Sequence, residues 1–267
     1  MKLKMLVLVA ALICAGVSPV FANQIVLEGS DATAFHEIPV YTGQLFTFMQ
    51  GGSSLPVLVL GGVPLSGLSV GQAVLNPGYS LTGYNLSDYS AVYIESVTGC
   101  CTQADTSISA ADEAAIGAAE ATGLNVTIEN YGGGPAWGPI LPAAVNALPA
   151  RDFGGITDFG TAGGPYCTDG EVFNANGLSK GFTQPGILGC YEHQAYRTSA
   201  FTALGFVSLV NADPSYVFGA DGSALLALGG ALGTVTTPEP SSMVLLGAGL
   251  LALFALSAPL KKLAAQA

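Results

Sequence analysis

An α/β fold, a three-layer sandwich with a mainly parallel sheet, is the class this sequence predicts. Three observations predict it. Short β-branched or apolar runs recur along residues 24–130. Alanine-rich or amphipathic stretches of helical length separate them. The clearest pair of runs, Ala91–Ser96 and Asn125–Asn130, is joined through a helix with no hairpin turn between, which implies a crossover and parallel pairing.

Gln24 to Glu28 reads as the first strand, ending at Gly29-Ser30-Asp31. A helix is expected from Pro39 to Gln50, where Leu45, Phe46 and Met49 share one side, and Gly51-Gly52 ends it. Pro56 to Leu60 is a continuous apolar run between turn residues, the pattern of a strand buried on both faces. Val63 to Leu86 has no clear period and reads as an irregular loop or an inserted hairpin. In the next unit Ser109 and Asp112 stand three apart in a capping-box arrangement, the helix runs through Ala121, and Gly123 closes it. A further helix is expected from Trp137 to Leu148. After Pro149 the glycine-rich chain yields a short helix at 198–204 and late strands at 206–210 and 223–228, the last with a helical turn as its rival.

The two ends carry different signals. Lys2 and Lys4 precede an apolar stretch to Val17, and Val20-Phe21-Ala22 provides small residues before a cut. Residues 1–22 therefore read as a secretory signal peptide, which takes Cys14 with it. Residues 23–232 form the exported α/β domain and 233–242 a linker. Met243 to Leu260 is uncharged over eighteen residues. At 1.5 Å per residue it spans about 27 Å, close to the roughly 30 Å hydrocarbon core of a bilayer, so it reads as a transmembrane helix. Lys261 and Lys262 follow as a cytoplasmic stop in the basic end 261–267, which places the body outside.

Between Asn23 and Thr237 three basic residues, Arg151, Lys180 and Arg197, stand against seventeen Asp and Glu, a net of −14. Such a surface repels phosphate backbones, so nucleic acid is excluded as a partner. Four cysteines remain in the body: Cys100, Cys101, Cys167 and Cys190. An exported compartment makes them disulfide candidates. A Cys100–Cys101 bridge would be a strained ring, which leaves Cys167–Cys190 or two crossed long-range bridges. Adjacent cysteines cannot form a C-x-x-C knuckle, and neither a metal nor a cofactor is expected.

The tail, Pro238-Glu239-Pro240-Ser241-Ser242, then the apolar span, then the two lysines, resembles the PEP-CTERM sorting signal of exported proteins in Gram-negative bacteria. The resemblance implies a membrane enzyme, an exosortase, as partner, with processing near the motif. It also implies association with extracellular polysaccharide. The expected location is the inner membrane with the body outside, then periplasm, cell surface or extracellular matrix.

Ligands of open α/β sheets gather at the carboxyl ends of the strands. Asp31 and His36 follow the first strand, Glu95 and Cys100-Cys101 the strand at 91–96, and Glu129-Asn130 its partner. The segment Cys190-Tyr191-Glu192-His193-Gln194 is expected to return to that edge. Asp31, His36, Glu129 and His193 are thus the candidate metal or acid–base residues. Cys190 and His193, three apart, are the rival thiol pair. The Gly132-Gly133-Gly134 turn lacks both the P-loop lysine and GxGxxG spacing, and H-E-x-x-H and EF-hand motifs are absent.

On Ile25–His36, Tyr89–Ser96 and Val126–Gly133 the body resembles the class I glutamine amidotransferase-like superfamily, in particular its ThuA-like branch. That resemblance implies a flavodoxin-like sheet and a cysteine nucleophile in the turn after the crossover helix and strand, with a later His and Glu. Here the turn reads Glu129-Asn130-Tyr131-Gly132 without cysteine, and Glu192 directly precedes His193. The expectation is a non-catalytic domain that binds a glycan or small molecule. The alternatives are an extracellular hydrolase or lyase using His36 and His193 on polysaccharide, and a structural matrix component.

Overall fold

The computed structural model describes residues 24–30, 32–33, 38–61, 71–96, 108–131, 137–148, 151–152, 172–183, 194–212, 214 and 218–229. Contacts divide the chain after Leu232, and every described residue lies in the first unit.

The first strand, β1 (Gln24–Glu28), is buried along its length. Helix α1 (Pro39–Gln50) opens with proline at its first position, where a missing N–H costs nothing, and closes at Gly51 in the left-handed region (φ 59°). It buries Tyr41, Leu45, Phe46 and Met49 against the sheet face that carries Val26, Val59 and Tyr93. Strand β2 (Val57–Leu60) follows, then β3 (Ala73–Asn76) and β4 (Ala91–Ile94). Helix α2 (Ala110–Glu120) lies on the opposite face, where Ile116 meets Val92, Ile94, Val126 and Ile128. It leads into β5 (Asn125–Glu129). Ser109 caps α2 as expected: its hydroxyl accepts the Asp112 amide at 3.1 Å and donates to the Asp112 carboxylate at 2.9 Å. Ser109→Ala is expected to lower stability by about 1 kcal/mol, read as a shift in denaturation midpoint.

Five strands, in the order β3-β2-β4-β5-β1, are mutually parallel and in register. The rest is not. Strand β10 (Gly222–Gly229) pairs antiparallel with β1, β8 (Gln194–Arg197) and β9 (Val207–Asn211). The two-residue strands β6 (Arg151–Asp152) and β7 (Val172–Phe173) add antiparallel pairs to β8 and β9. The sheet is therefore mixed, which corrects the mainly parallel expectation. Only residues 212–221 separate β9 from β10. A parallel crossover needs a dozen or more residues, so this connection returns antiparallel.

Three smaller expectations are also corrected. The stretch read as loop or hairpin holds β3, a parallel edge strand whose Leu75 is exposed. The helix expected over 137–148 is reduced to α3 (Ala143–Asn146) after a turn at Trp137–Leu141. Pro142 explains this, because it removes an amide that a continuous helix needs and its ring clashes with the preceding turn. The late region adds α4 (Ala175–Ser179), which was not foreseen, beside the expected α5 (Thr198–Thr202). Residues 223–228 form strand and not a helical turn.

The signal peptide, the linker, the span 243–260 and the basic end lie outside the described residues. Among the described residues no helix is long and apolar enough to cross a membrane, and every cysteine put forward for a disulfide lies outside them.

Candidate functional site

The carboxyl ends of four adjacent parallel strands carry one continuous row of residues. Register pairs Leu60 with Ile94, Ile94 with Ile128, and Glu129 with Glu28. One step further along the same ladder, the row reads Gly61, Glu95, Glu129, Glu28. Side chains alternate along strands, so these positions share the α1 face with Val59, Tyr93, Thr127 and Val26 one pair earlier. All three glutamates are fully buried.

Each is held differently. Glu28 accepts hydrogen bonds from the Tyr93 hydroxyl (2.8 Å), Thr33 (3.0 Å) and Ser30 (3.3 Å), and the nearby Tyr41 of α1 also favours its charged form. Its backbone carbonyl takes the Asn130 amide (2.6 Å) and the Tyr196 hydroxyl (3.2 Å). Glu129 accepts the Ser96 amide (2.8 Å) and hydroxyl (3.1 Å). The Glu95 carboxyl lies over Gly61, where a Cβ would overlap it.

Strands in a sheet are about 4.8 Å apart, and two charges 4 Å apart repel by about 4 kcal/mol at an effective dielectric of 20. Three ionised carboxylates abreast are therefore disfavoured. Burial pushes the Glu28 carboxyl up to about 7, although the hydroxyls of Tyr93, Tyr41, Thr33 and Ser30 pull it down. Burial, and then the charges of Glu129 and Glu28, hold Tyr93 well above the usual tyrosine range. Burial likewise raises Tyr131 to about 12 and Tyr196 well above its ordinary value.

Asn130 follows Glu129 in the left-handed region (φ 51°), which asparagine tolerates better than most residues. Its amide oxygen and nitrogen are both buried without a hydrogen-bond partner. Asn130 stands in the turn where the amidotransferase resemblance places a cysteine nucleophile, and an amide is not one.

Of the residues singled out from sequence, Glu129 is at this edge, with Glu95 and Asn130 beside it. Asp31, His36, His193, Cys100, Cys101, Cys167 and Cys190 lie outside the described residues, as do Pro238, Glu239, Pro240, Lys261 and Lys262. Gln194, at the end of the returning segment, donates its amide to the Gly29 carbonyl (2.8 Å), just past β1. Among the described residues no group of three or more His, Cys, Asp and Glu is placed to hold a metal ion. Sequence reasoning missed Glu28, Tyr41, Tyr93 and Tyr196. One signal was available: Val-Leu-Glu28, Tyr-Ile-Glu95 and Thr-Ile-Glu129 each end an apolar strand on glutamate.

Residues 236–258 match the model of the PEP-CTERM protein-sorting motif. The chain carries a PEP-CTERM sorting motif. The motif marks an exported, membrane-associated protein of the cell envelope and implies processing by an exosortase-type enzyme. It covers only the tail. No curated protein and no solved structure matches the chain, so the amidotransferase-like resemblance of the body is left without support from these comparisons.

Proposed function

We propose that the protein is an exosortase-sorted binding module, released outside the inner membrane, whose body engages extracellular polysaccharide or a related small ligand without transforming it. The observation that supports a binding role over catalysis is the state of the carboxyl edge. An α/β enzyme places reactive groups there, open to substrate. In this chain Glu28 and Glu129 are fully buried and accept hydrogen bonds from the protein's own hydroxyls and amides. The acidic body is compatible with a neutral ligand and opposes an anionic one.

A second reading, a hydrolase or lyase acting on polysaccharide, draws on one feature. Glu28, pushed up to about 7, neighbours Glu129, which accepts two hydrogen bonds from Ser96. A pair of neighbouring carboxyl groups, one acting as acid and the other as base, is the usual machinery of such enzymes. Shortening of polysaccharide by the purified full chain, lost in Glu129→Gln, would establish that reading over the first.

The sorting half is tested by intact mass spectrometry of the native protein. A start at Asn23 and loss of the segment beyond Pro240 are expected. Replacing Pro238, Glu239 and Pro240 with alanine is expected to leave the tail uncut and the protein in the membrane fraction. Cleavage unchanged in that variant would sink the assignment of these three residues.

A further inference from the structure

The opposite edge of the sheet holds a feature that the sorting motif and the glutamate row leave unexplained. There the carboxyl-terminal ends of α1 and α2 meet the starts of β4 and β5 around a groove of about 580 Å³. That volume lies within the roughly 300–1,000 Å³ of ordinary small-ligand sites.

Its lining is chemically selective. None of its fourteen lining residues is charged, although seventeen acidic residues crowd the body. Tyr89 presents a half-buried ring, 6.4 Å from that of Tyr84, with Leu86 beside it and exposed Leu55 also on the wall. Ser53, Ser87 and Thr122 contribute hydroxyls. At Gly51, Gly52 and Gly123 the backbone turns through positive φ, and a Cβ at Gly123 would meet nothing within 4 Å. Deeper in, Asn125 is tied by its Oδ1 to the Gln24 amide and by its Nδ2 to the Met49 carbonyl, while Ser90 is bonded to the Leu55 carbonyl. These ties keep the base of the groove in one shape.

A sugar ring has an apolar C–H face and an edge of hydroxyls. An aromatic plate with an apolar shoulder suits the first, and the serine and threonine hydroxyls suit the second. An anionic ligand would find no counter-charge on these walls. We infer that this groove, at the amino-terminal edge of the sheet between Tyr89 and the turns at Gly51 and Gly123, is a binding site for a neutral oligosaccharide. The inference rests on the binding-module reading and assigns it a place remote from the glutamate row.

The test uses the full chain in detergent, titrated calorimetrically with cellotetraose, maltotetraose and mannotetraose, with tetragalacturonate as the anionic probe. Hydrogen exchange then locates the contact. At least one neutral tetrasaccharide is expected to bind and to protect amides in 50–55, 86–90 and 119–125, and tetragalacturonate is not. Tyr89→Ala is expected to weaken binding about tenfold or more, the loss of roughly 1.4 kcal/mol of contact. Because Tyr89 also packs on the core, Ser53→Glu serves as the second variant. It sets charge and bulk on an exposed rim position, where a carboxylate can still accept the Leu55 amide that the Ser53 hydroxyl accepts, and is expected to weaken binding comparably with at most a small shift in the unfolding midpoint. If a tetrasaccharide binds but protects residues 28–33, 93–96 and 128–131, and both variants bind normally, the groove is overturned and the binding module stands. If no saccharide binds at all, both fall together.

Discussion

Gly29→Ala is expected to destabilise the protein by about 3 kcal/mol or more, the upper range for forced overpacking. Gly29 ends β1, where the parallel half of the sheet meets the antiparallel half. Its amide donates to the Ala224 carbonyl (2.7 Å), and its own carbonyl accepts the Gln194 amide (2.8 Å). A Cβ would overlap the Gln194 carbonyl oxygen and come within 3.1 Å of that of Ala224. Both obstacles are backbone, and both strands are hydrogen-bonded to Gly29 itself. Neither can withdraw without breaking the bonds that join the two halves. Gly43→Ala in α1 is the matched control, because a Cβ there meets nothing within 4 Å. It is expected to raise stability by about 0.5–1 kcal/mol through helix propensity. Denaturant titration of both variants reads the contrast, and hydrogen exchange should show the Gly29→Ala loss at Gln194 and Ala224 first. Equal midpoints for the two would show that the seam at Gly29 carries no such constraint.

That seam was also where reading the sequence stopped working, and the reason is physical. Elements whose signals are local were legible: proline and paired glycines bound α1, Ser109 caps α2, and β-branched residues fill β5. Strand sense is not a local property. Residues 223–228 look alike whether they pair parallel or antiparallel, and only the short path from β9 decides it. Strand β3 was hidden for a different reason. It is a four-residue edge strand in a stretch rich in Gly, Ser and Asn, and its pattern is too short to establish a period.

The candidate site divides in the same way. Glu95, Glu129 and Asn130 could be placed at the carboxyl edge once parallel pairing was read from the crossover. Glu28 and Glu129 end their strands and Glu95 follows its own, but the row appears only when register aligns the three. The hydroxyls around Glu28 could not be anticipated at all. Tyr93 comes from 65 residues away and Tyr196 from 168 residues away.

Glu28 gives the second large effect, a stability that falls as pH rises. Its carboxyl titrates at about 7 in the folded protein, above its ordinary value of 4.5. Between those values the folded chain holds a proton that the unfolded chain has released, so the slope of stability against pH is negative there. The contribution is fully present below about pH 4.5 and is lost as pH rises through 7. At 1.36 kcal/mol per pKa unit, the loss is on the order of 3 kcal/mol. The groups facing Glu28 define the alternatives to be separated: Tyr93 from β4, Glu129 from β5, Tyr41 from α1, Tyr196 from β8, and Ser30 and Thr33 from the turn after β1. Tyr93 and Tyr196 are held well above the ordinary tyrosine range. Glu129 is the remaining titratable neighbour, which is why a single-site variant is needed. Glu28→Gln keeps the shape of the side chain and cannot ionise. Its hydroxyl neighbours can rotate to accept from the new amide. Denaturant midpoints of the full chain, followed through Trp137, the only tryptophan and a buried one, should fall from pH 5 to pH 8 in the natural protein. In Glu28→Gln that fall should largely vanish, leaving the variant the more stable of the two at pH 8. An undiminished fall in the variant would move the proton to Glu129 or Glu95. A midpoint that rises with pH would mean that the row is ionised throughout, with a counter-charge holding it.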